Sequence, residues 1–140
     1  MRPAAAAAVG LSLMAIASCG NGESPQTAGT TPTGAAARRL TSAEQALVAR
    51  SERTVQRYCG KLALSLTGQA RPPSAEEASR AFAATDSLIE LARAKPAASI
   101  ENGVEMELFL GDLAEDLEGS NCDSRLVERI DQALATLPQP

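Results

Sequence analysis

Three cysteines, Cys19, Cys59 and Cys122, and no histidine bound the chemistry open to this sequence. Without imidazole the usual general base near neutral pH is missing, and so are His-based triads and His ligands for zinc. The cysteines show no Cys-x-x-Cys spacing, so pattern gives no support to a redox dithiol or a thiolate metal site. Carboxylates are plentiful, but any acidic helix supplies them in pairs, and without a pocket they do not identify hydrolytic chemistry. The cluster Asp112, Glu115, Asp116, Glu118, Asn121 and Asp123 lacks the Asp-x-Asp-x-Asp-Gly loop of an EF-hand and reads as a charged helix face. Neither a Gly-x-Ser-x-Gly elbow, nor Ser-x-x-Lys, nor a glycine-rich phosphate loop occurs. The expectation is a protein that is not an enzyme, with no cofactor and no metal.

Cys19 has the most informative surroundings. The amino terminus and Arg2 precede Ala4 to Ala17, a run that is apolar or small except for Ser12. A charged start, an apolar stretch and small residues before a cut make a secretory signal. The run is too short and alanine-rich to span a bilayer, which takes about 20 strongly apolar residues. Gly20 to Pro25, which follows, is polar and turn-forming, with no cluster of Lys or Arg to stop transfer.

Ile16-Ala17-Ser18-Cys19 resembles the lipobox of bacterial lipoproteins, an aliphatic residue and two small ones before an invariant cysteine. The resemblance implies a diacylglyceryl group on the Cys19 sulfur and cleavage between Ser18 and Cys19, with acylation of the freed amine as a second anchor. It places residues 1–18 in a signal peptide and the mature chain on the extracytoplasmic face of the cell membrane, as a lipid-anchored protein of the cell envelope. It covers about the first 20 residues and implies nothing about the domain beyond. The alternative is an ordinary signal, since Ala15-Ile16-Ala17 also fits small-x-small.

Residues 19–39 form the expected lipidated cysteine and linker. From Gly20 to Ala37 there is almost no large apolar side chain, too little to offset the entropy of ordering, so disorder is expected. Such a chain has a reach of about 25 Å.

Residues 40–138 then suffice for one small domain. Every longer segment carries the 3.6-residue apolar period, with no alternating strand pattern. Helix one runs from Ser42 to Leu66, with Leu47, Val48, Val55, Tyr58, Cys59, Leu62 and Leu66 on one face and Ser51 in the gap; Thr67-Gly68-Gln69 ends it. Helix two is capped by Ser74, with Glu77 at capping-box spacing. Ala78, Ala81, Phe82, Leu88, Ile89 and Ala92 make its stripe, and Lys95-Pro96 stops it.

Helix three is capped by Ser99 or Asn102 and stops at Gly119. Met106, Phe109, Leu110, Leu113 and Leu117 form its face, widened by Val104 and Leu108. Asp123 caps helix four, whose face is Leu126, Val127, Ile130, Leu134 and Leu137, ending at Pro138. Four amphipathic helices with short loops predict an all-α fold, a small antiparallel helical bundle.

With Cys19 assigned to lipid, Cys59 and Cys122 remain as an even pair in a compartment where disulfides persist. Cys59 lies on the core face of helix one and Cys122 in the turn before helix four. A bridge there staples the two end helices.

The net charge of -4 hides a split. Between Arg38 and Arg71 seven basic residues face two acidic ones; from Pro72 onward five face fourteen. Arg50, Arg53, Arg57 and Lys61 form one stripe on helix one. It reads first as a solvated face meeting acidic neighbours in the bundle, and second as a membrane-facing stripe touching anionic headgroups. Nucleic acid is not an expected partner of an acidic, exported domain. The three aromatics fall on core faces, which counts against a sugar-binding platform. The function expected is a non-enzymatic protein-interaction module binding another envelope protein through an exposed helix face. The alternative is a small-ligand carrier with an apolar pocket between helices.

Overall fold

Ser/Thr-x-x-Glu spacings at Thr41 and Ser74 start the two longest helices. In the computed structural model, which describes residues 39–138, α1 spans Ser42–Leu66 and α2 spans Ala75–Ala94. Each begins with a complete capping box: the Thr41 and Ser74 hydroxyls accept from the Glu44 and Glu77 amides, and those carboxylates accept from the cap amides. The Thr41 cap is an addition to the sequence expectations. The signal peptide, the lipobox with Cys19 and linker residues 19–38 lie outside the described residues.

α1 ends in a Schellman turn. Gly68 takes φ +72°, and the Gln69 and Gly68 amides donate to the Leu64 and Ser65 carbonyls. α3 spans Met106–Gly119 and ends in the same way, but with Asn121 at φ +52° as the left-handed residue. There the Cys122 amide donates to Leu117 and the Asn121 amide to Glu118. Gly119, the expected stop, is the last helical residue. α4 spans Ser124–Leu134, with Asp123 as its cap accepting from the Arg125 amide. It ends before Leu137, which is buried beyond the helix.

Two expectations about α3 are corrected. Neither Ser99 nor Asn102 caps it; Glu105 holds the N-cap position without a side-chain hydrogen bond. The connection from α2 is also not a short loop. Residues 95–105 fold on themselves: the Gly103 amide donates to Ile100, the Ile100 amide to Val104 and the Met106 amide to Ala98, with Gly103 at φ +85°. Ser99 forms single β-bridges to Glu105 and to Arg39, and the Leu40 amide donates to the Ser99 carbonyl. Asn102 accepts from the Val104 amide inside this turn instead of starting a helix.

α1 packs along α2 and α3 along α4, and α2 also packs against both α3 and α4. The fold is thus an all-α antiparallel bundle organised on α2. Alanines Ala81 and Ala92, fully buried on α2, let its neighbours approach closely, while Leu88, Met106, Leu110, Leu126 and Ile130 fill the space between. Thr85 is fully buried as well, its hydroxyl donating to the Ala81 carbonyl. No helix among the described residues is long and apolar enough to cross a membrane.

Not every apolar position of the expected faces is covered. Leu66 is 71% exposed and Leu62 half-buried, because no element among the described residues covers the last turn of α1 from the side. Leu108, expected to widen the α3 face, is 61% exposed.

Candidate functional site

The chemistry-bearing residues separate into a buried knot, a cationic face and a groove. The knot joins α1 to the turn before α4. Cys59 and Cys122 form the expected disulfide, closing 63 residues of sequence with a Cα–Cα distance of 5.0 Å. The Schellman turn at Asn121 is what delivers Cys122 to Cys59. Beside the bridge the Tyr58 hydroxyl donates to Asp123 Oδ2 at 3.2 Å. Burial, and then the Asp123 charge, raise the Tyr58 pKa. Asp123 is held below the usual carboxylate range, chiefly by the Arg125 guanidinium that pairs with it at 2.6 Å. So Asp123 is occupied three ways, as helix cap, Tyr58 acceptor and Arg125 partner. It does not belong to a cation cluster.

The cationic face is α1's outer side. Arg50, Arg53 and Arg57 are exposed there and pair with no carboxylate among the described residues. Lys61, the fourth member of the expected stripe, leaves it: its Nζ lies 2.7 Å from both Glu77 oxygens on α2. The stripe is therefore three arginines, and its last position ties two helices together.

The groove lies between α1 and α3, roofed at one end by the 95–105 connection. One part, about 350 Å³, is bounded by Gln45, Val48, Ala49 and Glu52 of α1 and by Ile100, Glu101 and Asn102. It continues into a part of about 230 Å³ that shares Glu52, Ile100 and Asn102 and reaches Phe109, Asp112, Leu113 and Asp116 of α3. The floor is apolar: Val48, Ile100, Phe109 and Leu113. The rim is acidic: Glu52, Glu101, Asp112 and Asp116, none in an ion pair among the described residues. Arg39 stands at the far end, where a third hollow of about 340 Å³ shares Gln45, Ile100 and Glu101.

Sequence periodicity places Val48 and Leu113 on core faces but leaves Ile100 without a role, because it lies in no helix. Its position depends on the bridges from Ser99 to Arg39 and Glu105, which no local pattern announces. Of the acidic cluster, Asp112 and Asp116 reach the groove, Glu115 and Glu118 are exposed, and Asp123 turns inward. No three His, Cys, Asp or Glu side chains among the described residues converge to hold a metal ion. Buried side-chain nitrogen and oxygen atoms all have partners among the described residues.

Phe82 and Phe109 are half-buried against the core, and Arg125 and Arg129 lie over the Phe82 ring at 5.4 and 5.8 Å from its centroid. These rings are committed to packing between α2 and α4 and within the groove floor. Comparison with known proteins finds no match: no family model, no curated protein and no solved structure is similar to this chain.

Proposed function

We propose that this chain is a lipid-anchored, extracytoplasmic lipoprotein that works as a non-enzymatic protein-interaction module of the cell envelope. The anchored half of the reading is carried by the lipobox resemblance at Ile16-Ala17-Ser18-Cys19. The interaction half is carried by one observation, the open groove between α1 and α3. An apolar floor of Val48, Ile100, Phe109 and Leu113 under four carboxylates that form no ion pair among the described residues suits a segment with aliphatic side chains on one side and Lys or Arg on the other. The tether would set how far from the bilayer such a segment is met.

Affinity purification from membranes with Cys19 intact tests this reading, with and without Asp112→Lys and Asp116→Lys. The expected outcome is a reproducible envelope protein that is lost from the charge-reversed chain. A Cys19→Ala chain that still sediments with membranes in unchanged amount would remove the anchor from the proposal.

A second reading, a small-ligand carrier, draws on the groove volume, since small-molecule sites begin at about 300 Å³. The hollow of about 350 Å³ meets that size but is open along one side and lined by Gln45, Glu52, Glu101 and Asn102 as well as apolar groups. An apolar compound left so exposed would keep much of its surface in water, so the protein segment is preferred.

A further inference from the structure

We infer that the outward face of α1 is a second membrane contact, which lays the bundle on a bilayer rich in anionic lipid. The inference rests on the anchored reading only in needing a bilayer within reach. The face itself is built from described residues.

Arg50, Arg53, Arg57 and Leu64 fall on one line of α1, at i, i+3, i+7 and i+14, with Ala46 one turn before them. This line lies opposite Val55 and the core, and all five residues are exposed. The stretch from Arg50 to Leu64 covers about 21 Å of helix. No acidic side chain lies on it. α1 holds two carboxylates, and Glu44 is turned to Lys95 while Glu52 lines the groove. Lys61 is paired with Glu77, with both side chains partly exposed, so the unpaired charge on this face among the described residues is guanidinium alone.

Two features distinguish this face from an ordinary solvated one. The three guanidinia are left without carboxylate partners among the described residues, in a domain otherwise rich in acid. Leu64, 47% exposed, stands in line with them instead of on the core side. A helix that lies in a membrane interface has this pairing: long basic side chains keep their charge at the headgroups, while an aliphatic one dips below. Phosphate-bearing headgroups complement guanidinium in charge and in hydrogen-bond geometry.

Chain length permits the contact. Twenty peptide steps separate Cys19 from Arg39, at most about 70 Å when fully drawn out. α1 starts three residues later, so in chain order the first helix of the described residues is the one carrying the cationic line. Each basic residue held at an anionic surface raises partitioning about fivefold, and three together on the order of a hundredfold.

The test uses the full chain with Cys19→Ala, so that no lipid is attached, and two kinds of vesicle. One is phosphatidylcholine alone; the other is phosphatidylcholine and phosphatidylglycerol in equal parts. Neutral vesicles report whatever the apolar amino-terminal run contributes, and the difference reports the face. The expected result is tighter binding to the mixed vesicles, weakened by salt. Arg50→Gln, Arg53→Gln and Arg57→Gln together should cut it on the order of a hundredfold. A control of equal charge, Arg71→Gln, Arg80→Gln and Arg93→Gln, should leave most of it.

Equal affinity for both vesicles, or equal loss in both triple variants, would overturn the inference. So would binding to an acidic envelope protein with no vesicle binding at all. Anchor failure reads out separately, as unchanged membrane sedimentation of the Cys19→Ala chain in cells.

Discussion

Glu77 and Lys61 meet with both carboxylate oxygens 2.7 Å from the ammonium, while the same carboxylate holds the Ser74 amide at the start of α2. At the other end of the α1–α2 hairpin the relation is repeated with the helices exchanged. Glu44 holds the Thr41 amide at the start of α1 and takes Lys95, the C-cap of α2, at 2.7 Å. Each capping box is thus also a clasp to the neighbouring helix. The antiparallel hairpin is closed at both ends by one device.

The clasps predict an acid response. Both carboxylates are held at about 2, below their ordinary value of 4.5, chiefly by the hydrogen bond to lysine and then by the cap amide. A folded pKa below the unfolded one means that the unfolded chain binds more protons in between. The contribution is therefore complete above about pH 4.5 and is lost as pH falls through about 2. Glu44→Gln and Glu77→Gln keep the capping box, since Gln also serves there, but lose the charge. Thermal melts should show a Tm lowered by a few degrees at neutral pH and a shallower fall between pH 4.5 and 2. A double variant with the wild-type acid profile would show that the clasps do not contribute.

The bridge from Cys59 to Cys122 closes a long loop and should be worth about 4 kcal/mol through the unfolded chain. In a domain of this size that is about 15–30 °C in Tm. Cys59→Ala with Cys122→Ala, or full reduction, should show that loss by calorimetry. Cys59 is nearly inaccessible, so mild reductant without denaturant should act slowly. Alkylation of both thiols in the unreduced protein would contradict the bridge.

Asn121 is the hinge of that bridge. At φ +52° a residue other than Gly carries a steric cost, which Asn bears better than most. Asn121→Ala should destabilise by about 1 kcal/mol and slow correct pairing of Cys59 with Cys122 during refolding. Asn121→Gly should be neutral or stabilising by a few tenths, since Gly favours the same turn. Equal effects of the two substitutions would mean that the Asn121 side chain, and not its backbone, matters.

What could be foreseen from the sequence was local. The Ser74 box, the Asp123 cap and the apolar stripes of all four helices depend on residues within a few positions of one another, and so does the end of α2 at Lys95-Pro96. The Thr41 box has the same spacing and is equally local. What could not be foreseen was pairing across distance. Lys61 belongs by period to the arginine line, yet the antiparallel turn brings Glu77 beside it. Ser99 has the composition of a helix cap, yet bridges to Arg39 and Glu105 pull it into an ordered loop. Leu66 lies on the core face by period, but periodicity cannot show where the covering helix stops. The groove inherits this limit, because Ile100 at its centre is placed by that loop.

The groove gives the last prediction. Asp112 and Asp116 are exposed, unpaired among the described residues and one turn apart on α3. Reversing both to Lys should change stability by less than about 0.5 kcal/mol, as exposed substitutions do, and should ease repulsion along an acidic helix. A cationic partner segment would meet two reversed charges at the rim, so its association should slow and lose its salt dependence, which surface plasmon resonance against the captured partner would read. A small apolar ligand seated on Val48, Ile100 and Leu113 would not sense the change in that way. The same variant thus separates the two occupants. Partner binding at an unchanged rate and salt slope, with the fold intact, would move the interaction away from the groove and leave the carrier as the better account of it.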